Sequence, residues 1–378
     1  MKPSPRLLLA VSGHGYGHLA QCAPVINALW KEIPELHLAV CGDLPRHVIA
    51  ERLDRAFTFL PVELDPVPCM RSAWELDVPA SRRVYREFHR NWQAGLQHDA
   101  DLLAMLAPDV VLADIPWRML HAAQRRNIPA VALCSLNWAA IYAACCGEGD
   151  ADAAMLEDML AGYRAASVFL APEPALPMPE LENYRPIGPI ARHGRQRREE
   201  LQARLKLPKG TRLVLLALGG IQTGLPLASW PWRDGLAWLG AGVAGSAGSG
   251  IIDIATTGMG FVDVLASCDA VLTKPGYGTY AEAVCNGIPI LTLARPDWPE
   301  TIYLNTWARR YGRLEEISAM QFETGYFLAA LDNLWERPAR PPPEAGGTAQ
   351  AVAVIASFLT QDEAGMRRAN DRPGAPGS

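Results

Sequence analysis

Twice in this chain a short strand-like run, apolar throughout in the first case, ends in a glycine-rich turn that opens straight into a helical pattern. Residues 7–11 lead into Gly13-His14-Gly15-Tyr16-Gly17-His18, and residues 270–273 lead into Lys274-Pro275-Gly276-Tyr277-Gly278-Thr279. A strand apolar at every position is buried on both faces, which in a soluble protein means a parallel sheet covered by helices. A glycine turn at its end brings bare backbone N–H groups and the positive end of a helix dipole to the edge where such sheets bind ligands. The sequence therefore predicts an α/β protein with two Rossmann-like domains facing each other across a cleft.

The order of elements agrees. Strands are expected over 7–11, 36–41, 109–113 and 130–134, with helices over 20–31 and 119–126. The proline-rich stretch 171–190 interrupts this alternation, which restarts with strands over 212–218, 236–239, 270–273 and 288–293. The division predicted is an acceptor-side domain over 1–185 and a nucleotide-sugar-binding domain over 186–345. A final helix within 346–360 is expected to return toward the first domain, followed by a disordered polar tail over 361–378.

Composition excludes some partners. Thirty-five Lys and Arg against 40 Asp and Glu give a net charge of −5, with no basic block. A nucleic-acid or anionic-lipid surface is therefore not expected. The short cluster over 195–198 reads as a solvated helix start. Eight cysteines form no C-x-x-C pair, which fits a reducing compartment and no structural zinc. No apolar stretch reaches membrane-spanning length, and the first is too short for a signal peptide, so a cytoplasmic location without a transmembrane segment is expected.

Five constellations can carry chemistry. His14 and His18 in the first turn are either catalytic or ligand contacts, or hydrogen-bonded structural histidines. The spacing is neither G-x-G-x-x-G nor a P-loop. In the second turn Gly276, Gly278 and Thr279 suit a diphosphate. Glu282 either holds ribose hydroxyls or caps the helix with Thr279, and Lys274 reads as an exposed strand end. Gly219-Gly220-Ile221-Gln222 offers a further phosphate contact. Asp114 can orient a histidine base or cap the next turn. Asp297 and Glu300 can grip sugar hydroxyls or belong to a polar loop. Trp117, Trp138 and Tyr142 either stack on an acceptor or fill the core. Asp150-Ala151-Asp152 opens a helix and reads as its solvated N-terminus rather than a metal ligand, so no metal or cofactor is expected.

Together with Ser135-Leu136-Asn137-Trp138, Ile141-Tyr142, Pro177-Met178-Pro179 and the pair Glu300 and Asn305, these turns resemble the GT-B glycosyltransferases. The likeness is to the group of the bacterial enzyme that adds N-acetylglucosamine to lipid-linked muramyl peptide. It is stronger still to the glycosyltransferase-like domain at the front of plant-type L-arabinokinases. The resemblance implies that His18 is a general base paired with Asp114, and that Glu282 holds the ribose. It places the diphosphate on the glycine turns and the base against the backbone of Met259, Gly260 and Phe261. The sugar-binding pair usual in such enzymes reads Thr301-Ile302 here, which moves donor-sugar contacts to His14, Asp297 and Glu300. The function implied is a metal-independent transfer from a nucleotide-sugar, with UDP as nucleotide, to a small-molecule or lipid-linked acceptor. A nucleotide-sugar 2-epimerase and a non-catalytic nucleotide-sugar-binding protein share this architecture.

Overall fold

The computed structural model describes residues 4–13, 17–71, 75–219, 230, 232–240 and 250–360. One sheet is built from β1 (Arg6–Val11), β2 (His37–Gly42), β3 (Thr58–Pro61), β4 (Val110–Asp114), β5 (Ala130–Leu133), β6 (Val168–Pro172) and β7 (Tyr184–Ile187). A second contains β8 (Arg212–Ala217), β9 (Leu236–Gly240), β10 (Ile251–Asp253), β11 (Ala270–Thr273), β12 (Ile290–Leu293) and β13 (Leu314–Ile317). Their orders are β3-β2-β1-β4-β5-β6-β7 and β10-β9-β8-β11-β12-β13, and every pairing between these strands is parallel.

The apolar strands divide their side chains between two faces with a period of two. Leu8, Ala10, Val111 and Ala132 enter one core of the first domain, whereas Leu7, Leu9, Leu112 and Leu133 enter the other. The second domain repeats the arrangement, with Leu213, Leu215 and Val271 on one face and Val214, Leu216 and Leu272 on the other. Strand order reverses beside β1 and beside β8. Each reversal opens a crevice at the carboxyl ends of the strands, where α/β sheets take their ligands. Asp114 ends β4 in register with Val11, and Thr273 ends β11 in register with Ala217.

The proline-rich stretch is not all linker. It contains β7, so the first sheet runs to Ile187, just past the expected boundary. Pro186 is accommodated because β7 lies at the sheet edge, where a missing N–H costs no ladder bond. The last helix, Gly347–Thr360, returns as expected and packs Ala351, Ile355 and Leu359 into the first domain's core. The two crossings between domains lie side by side. Gly347 donates its N–H to the Pro189 carbonyl at 3.1 Å, and a Cβ on Gly347 would fall 2.0 Å from the Gly188 carbonyl oxygen. Among the described residues no helix is long and apolar enough to cross a membrane. The tail over 361–378 lies outside the described residues.

Candidate active site

The helices that begin at Gly17 and Tyr277 meet at the domain junction. His18 is the second residue of the first helix, Gly17–Glu32, and is 5% exposed. Its Nδ1 lies 2.8 Å from Oδ1 of Asp114. One turn further along the same helix face, the Cys22 thiol donates to Oδ2 of that carboxylate at 3.2 Å. Both oxygens of Asp114 are thus held. The hydrogen bond places the proton of a neutral imidazole on Nδ1 and leaves Nε2 to accept one. The ring of Trp138 stands 5.4 Å from the His18 ring, centroid to centroid. Trp138 is buried, yet it belongs to the site: its Nε1 donates to Ser12 Oγ at 3.2 Å.

Two further buried acids surround this pair. Asp65, in the loop after β3, accepts from Ser12 Oγ at 2.6 Å. Glu300 arrives from the second domain and accepts from Ser135 Oγ at 2.9 Å and Trp298 Nε1 at 3.4 Å. Burial pushes the Asp65 carboxyl up to about 7 and raises that of Glu300. Burial opposes protonation of His18, but Asp114, then Asp65 and Glu300, outweigh it and raise its pKa. His18, Asp114 and Cys134 place metal-ligating atoms within 4.8 Å of one another, the one such group among the described residues. There the Cys134 thiol is held protonated, its pKa raised well above normal by burial, and Asp114 already engages the histidine.

The facing wall belongs to the second domain. Gly219 has φ +77°, a conformation that favours glycine, and a Cβ there would meet Lys274 Cε at 3.7 Å. Lys274 is not the exposed strand end the sequence suggested. It is half-buried, and burial followed by the charge of Arg295 pushes its pKa down to about 8. Gly276 caps the helix Tyr277–Cys285 without a side-chain hydrogen bond. A Cβ on Gly278 would come within 3.0 Å of Ala20 Cβ, so the helices that follow the two glycine-rich segments touch here. Tyr277 anchors the turn to the linker, accepting from the Ile190 N–H at 2.8 Å and donating to the Glu173 carbonyl at 3.2 Å.

Glu282 is buried on this helix and accepts from Arg192 Nε at 2.8 Å, so it forms no capping box with Thr279. Met259 is a core residue just before the helix Phe261–Ser267, with Gly260 exposed as its N-cap. Asp297 is exposed and its carbonyl accepts from the Cys145 thiol at 3.4 Å. His14, Gly220 and Gln222 lie outside the described residues.

Several other expectations need correction. Asp152 is 2% exposed rather than solvated, because Arg86 (3.0 Å), the Glu148 N–H (3.0 Å) and the Tyr142 hydroxyl (3.3 Å) all donate to it. Tyr142 is thereby tied into the core, as is Trp117, whose ring stacks on Tyr85. Arg195–Arg198 is not simply solvated either, since Arg197 pairs with Glu200 and Asp263. Asp65 and Arg295 carry no motif, and only their position in the fold reveals them; Ser12 opens the first glycine turn's motif, but its bond to Asp65 is seen only in the fold.

No protein-family model matches the chain. It is similar to an L-arabinokinase of Arabidopsis thaliana, 24% identical over 96% of this chain, and it spans about a third (35%) of that protein's length. Among solved structures it is similar to the calicheamicin glycosyltransferase CalG4, with a TM-score of 0.60, 16% identity and 98% of each chain covered. A UDP-glucose:anthocyanidin 3-O-glucosyltransferase solved with UDP superposes with a TM-score of 0.60 at 12% identity, covering 96% of this chain and all (100%) of that one. MurG of Acinetobacter baumannii gives 0.52 at 12% identity, with 93% and 99% covered. The fold is GT-B. In these GT-B terms the His18–Asp114 pair lies at the crevice of the first domain, and the Gly276–Thr279 turn opens the helix of the second that faces it.

Proposed function

We propose that the chain is a metal-independent glycosyltransferase that uses a nucleotide-sugar, with UDP as nucleotide, and transfers its sugar to a small-molecule or lipid-linked acceptor. The observation that carries this reading is the buried His18–Asp114 pair, 2.8 Å apart, beside the glycine turn of the opposite domain. Asp114 fixes the imidazole so that Nε2 takes the acceptor hydroxyl's proton as that oxygen attacks the anomeric carbon. The bond from that carbon to the diphosphate breaks, and its electron pair leaves on the phosphate oxygen. Backbone N–H groups at the start of the helix Tyr277–Cys285 neutralise that charge, so the reading needs no metal. In their ionised forms the buried acids Asp65 and Glu300 suit a cationic, oxocarbenium-like centre near His18.

Those two acids, with their raised pKa values on either side of His18, also favour a second reading, acid–base epimerisation of the same donor. Product analysis without any acceptor separates the two. The main test is a thermal-shift screen of nucleotides and nucleotide-sugars, in which a ligand raises apparent stability by mass action. It is followed by kinetics of His18→Ala. Turnover should fall by about 10²–10⁴-fold with nucleotide affinity retained. Full activity in a destabilised His18→Ala protein refutes the base assignment.

A further inference from the structure

The second domain's wall holds more buried positive charge than its surroundings compensate. Arg295, just past β12, is 4% exposed, and its Nε is buried with no hydrogen-bond partner. Its guanidinium lies 4.2 Å over the Trp298 ring, and Nη2 reaches the thioether of Met70 in the first domain at 3.7 Å. Lys274, at the end of the neighbouring strand β11, extends over Gly219. Among the described residues neither cation forms an ion pair. Up to residue 360, the segments outside the described residues contain neither Asp nor Glu.

Of the acids nearest in the chain, Asp297 and Glu300 act on Arg295 through their charge, but none pairs with it among the described residues. Glu300 is held by Ser135 and Trp298, Glu282 by Arg192, and Asp297 is exposed. Burial accordingly lowers the pKa of Arg295 as well as that of Lys274. A buried charge without a partner is strongly unfavourable, so two on adjacent strand ends call for a ligand that brings the counter-charge.

We propose that Lys274 and Arg295 form a subsite for an oxyanion carried by the nucleotide-sugar. Neighbouring strands lie about 4.8 Å apart, so the two cations can hold one phosphate or carboxylate group or two adjacent ones. The planar fork of Arg295, backed by Trp298, suits two-point binding of such a group. The anion is either the diphosphate itself or a carboxylate on the sugar. The proposal rests on the nucleotide-sugar reading and refines it: the wall would supply fixed positive charge where a transferase needs it.

Calorimetry on the full chain tests it with uridine, UDP, inorganic pyrophosphate, UDP-glucose and UDP-glucuronate. Arg295→Met and Lys274→Met should each lose about tenfold or more of the preference for the anionic ligand over its neutral or less charged counterpart, with uridine affinity unchanged, the loss typical of hydrogen bonds to charged groups. Arg295→Lys should keep part of it. Losses with pyrophosphate and UDP assign the diphosphate. A loss confined to UDP-glucuronate against UDP-glucose assigns the sugar carboxylate. The ligand-free melting temperature of Arg295→Met should equal or exceed that of the wild type, because an uncompensated buried charge is gone, whereas a structural role would lower it.

Unchanged UDP:uridine and glucuronate:glucose ratios in both Met variants overturn the proposal. If the wild type binds neither uridine nor UDP, the nucleotide-sugar reading fails, and the pyrophosphate arm alone decides. Pyrophosphate binding lost in the variants supports an oxyanion subsite, and its absence in the wild type overturns it.

Discussion

Replacing Asp65 by Asn should change how stability depends on pH. The Asp65 carboxyl is 5% exposed and is pushed up from 3.8 to about 7 by burial. The unfolded chain releases this proton near pH 4, whereas the folded protein keeps it until about pH 7. Over that window the folded state binds more protons, so stability falls as pH rises. At about 1.4 kcal/mol for each tenfold, the full penalty is about 4 kcal/mol, and about 3 kcal/mol of it accrues between pH 5 and 8. Asn still accepts from Ser12 but cannot ionise, and its amide costs about 1–3 kcal/mol if left without a partner. The stability of wild type relative to the variant should therefore fall by about 3 kcal/mol between pH 5 and pH 8. His18 and Glu300, present in both proteins, largely cancel in the difference. Urea unfolding of the ligand-free proteins at pH 5, 6, 7 and 8 measures it. Parallel stability profiles for the two would refute the reasoning, because they would mean that Asp65 titrates as an exposed carboxylate does.

Two further outcomes concern the second domain and the last helix. Glu282→Ala should weaken UDP binding by about 1–3 kcal/mol in calorimetry if the carboxylate holds the ribose, with Arg192→Ala leaving affinity unchanged. Equal losses in both variants would make the pair a purely structural tie between linker and helix. Ile355→Ala, at a fully buried position of the last helix, should cost about 2–5 kcal/mol in urea unfolding. A loss below about 0.5 kcal/mol, the range of surface substitutions, would show that this helix does not complete the first domain's core.

Local pattern was enough for the architecture. Residues 7–11 are apolar at every position, as are 270–272 before Thr273, and that signal survives without any knowledge of neighbours, because a strand buried on both faces has little choice of composition. The pairing of His18 with Asp114, 96 positions apart, was implied by the family resemblance, the strand ends alone leaving Asp114 either to orient a histidine or to cap a turn. Strands β3, β7, β10 and β13 escaped because they are short edge strands that bury few side chains, whereas β6 is internal and buried but runs straight into the proline-rich stretch read as the domain boundary.

Tertiary structure alone decided which charges are buried together. Nothing around Asp65 marks it as an acid beside His18, and Asp152 reads as solvated until Arg86 and Tyr142 close over it. Lys274 and Arg295 are ordinary surface residues by type, and only the stacking of β11 beside β12 against the first domain withdraws them from water without an anion. Sequence patterns record what each segment must bury, whereas the energy of a charge depends on what other segments place around it.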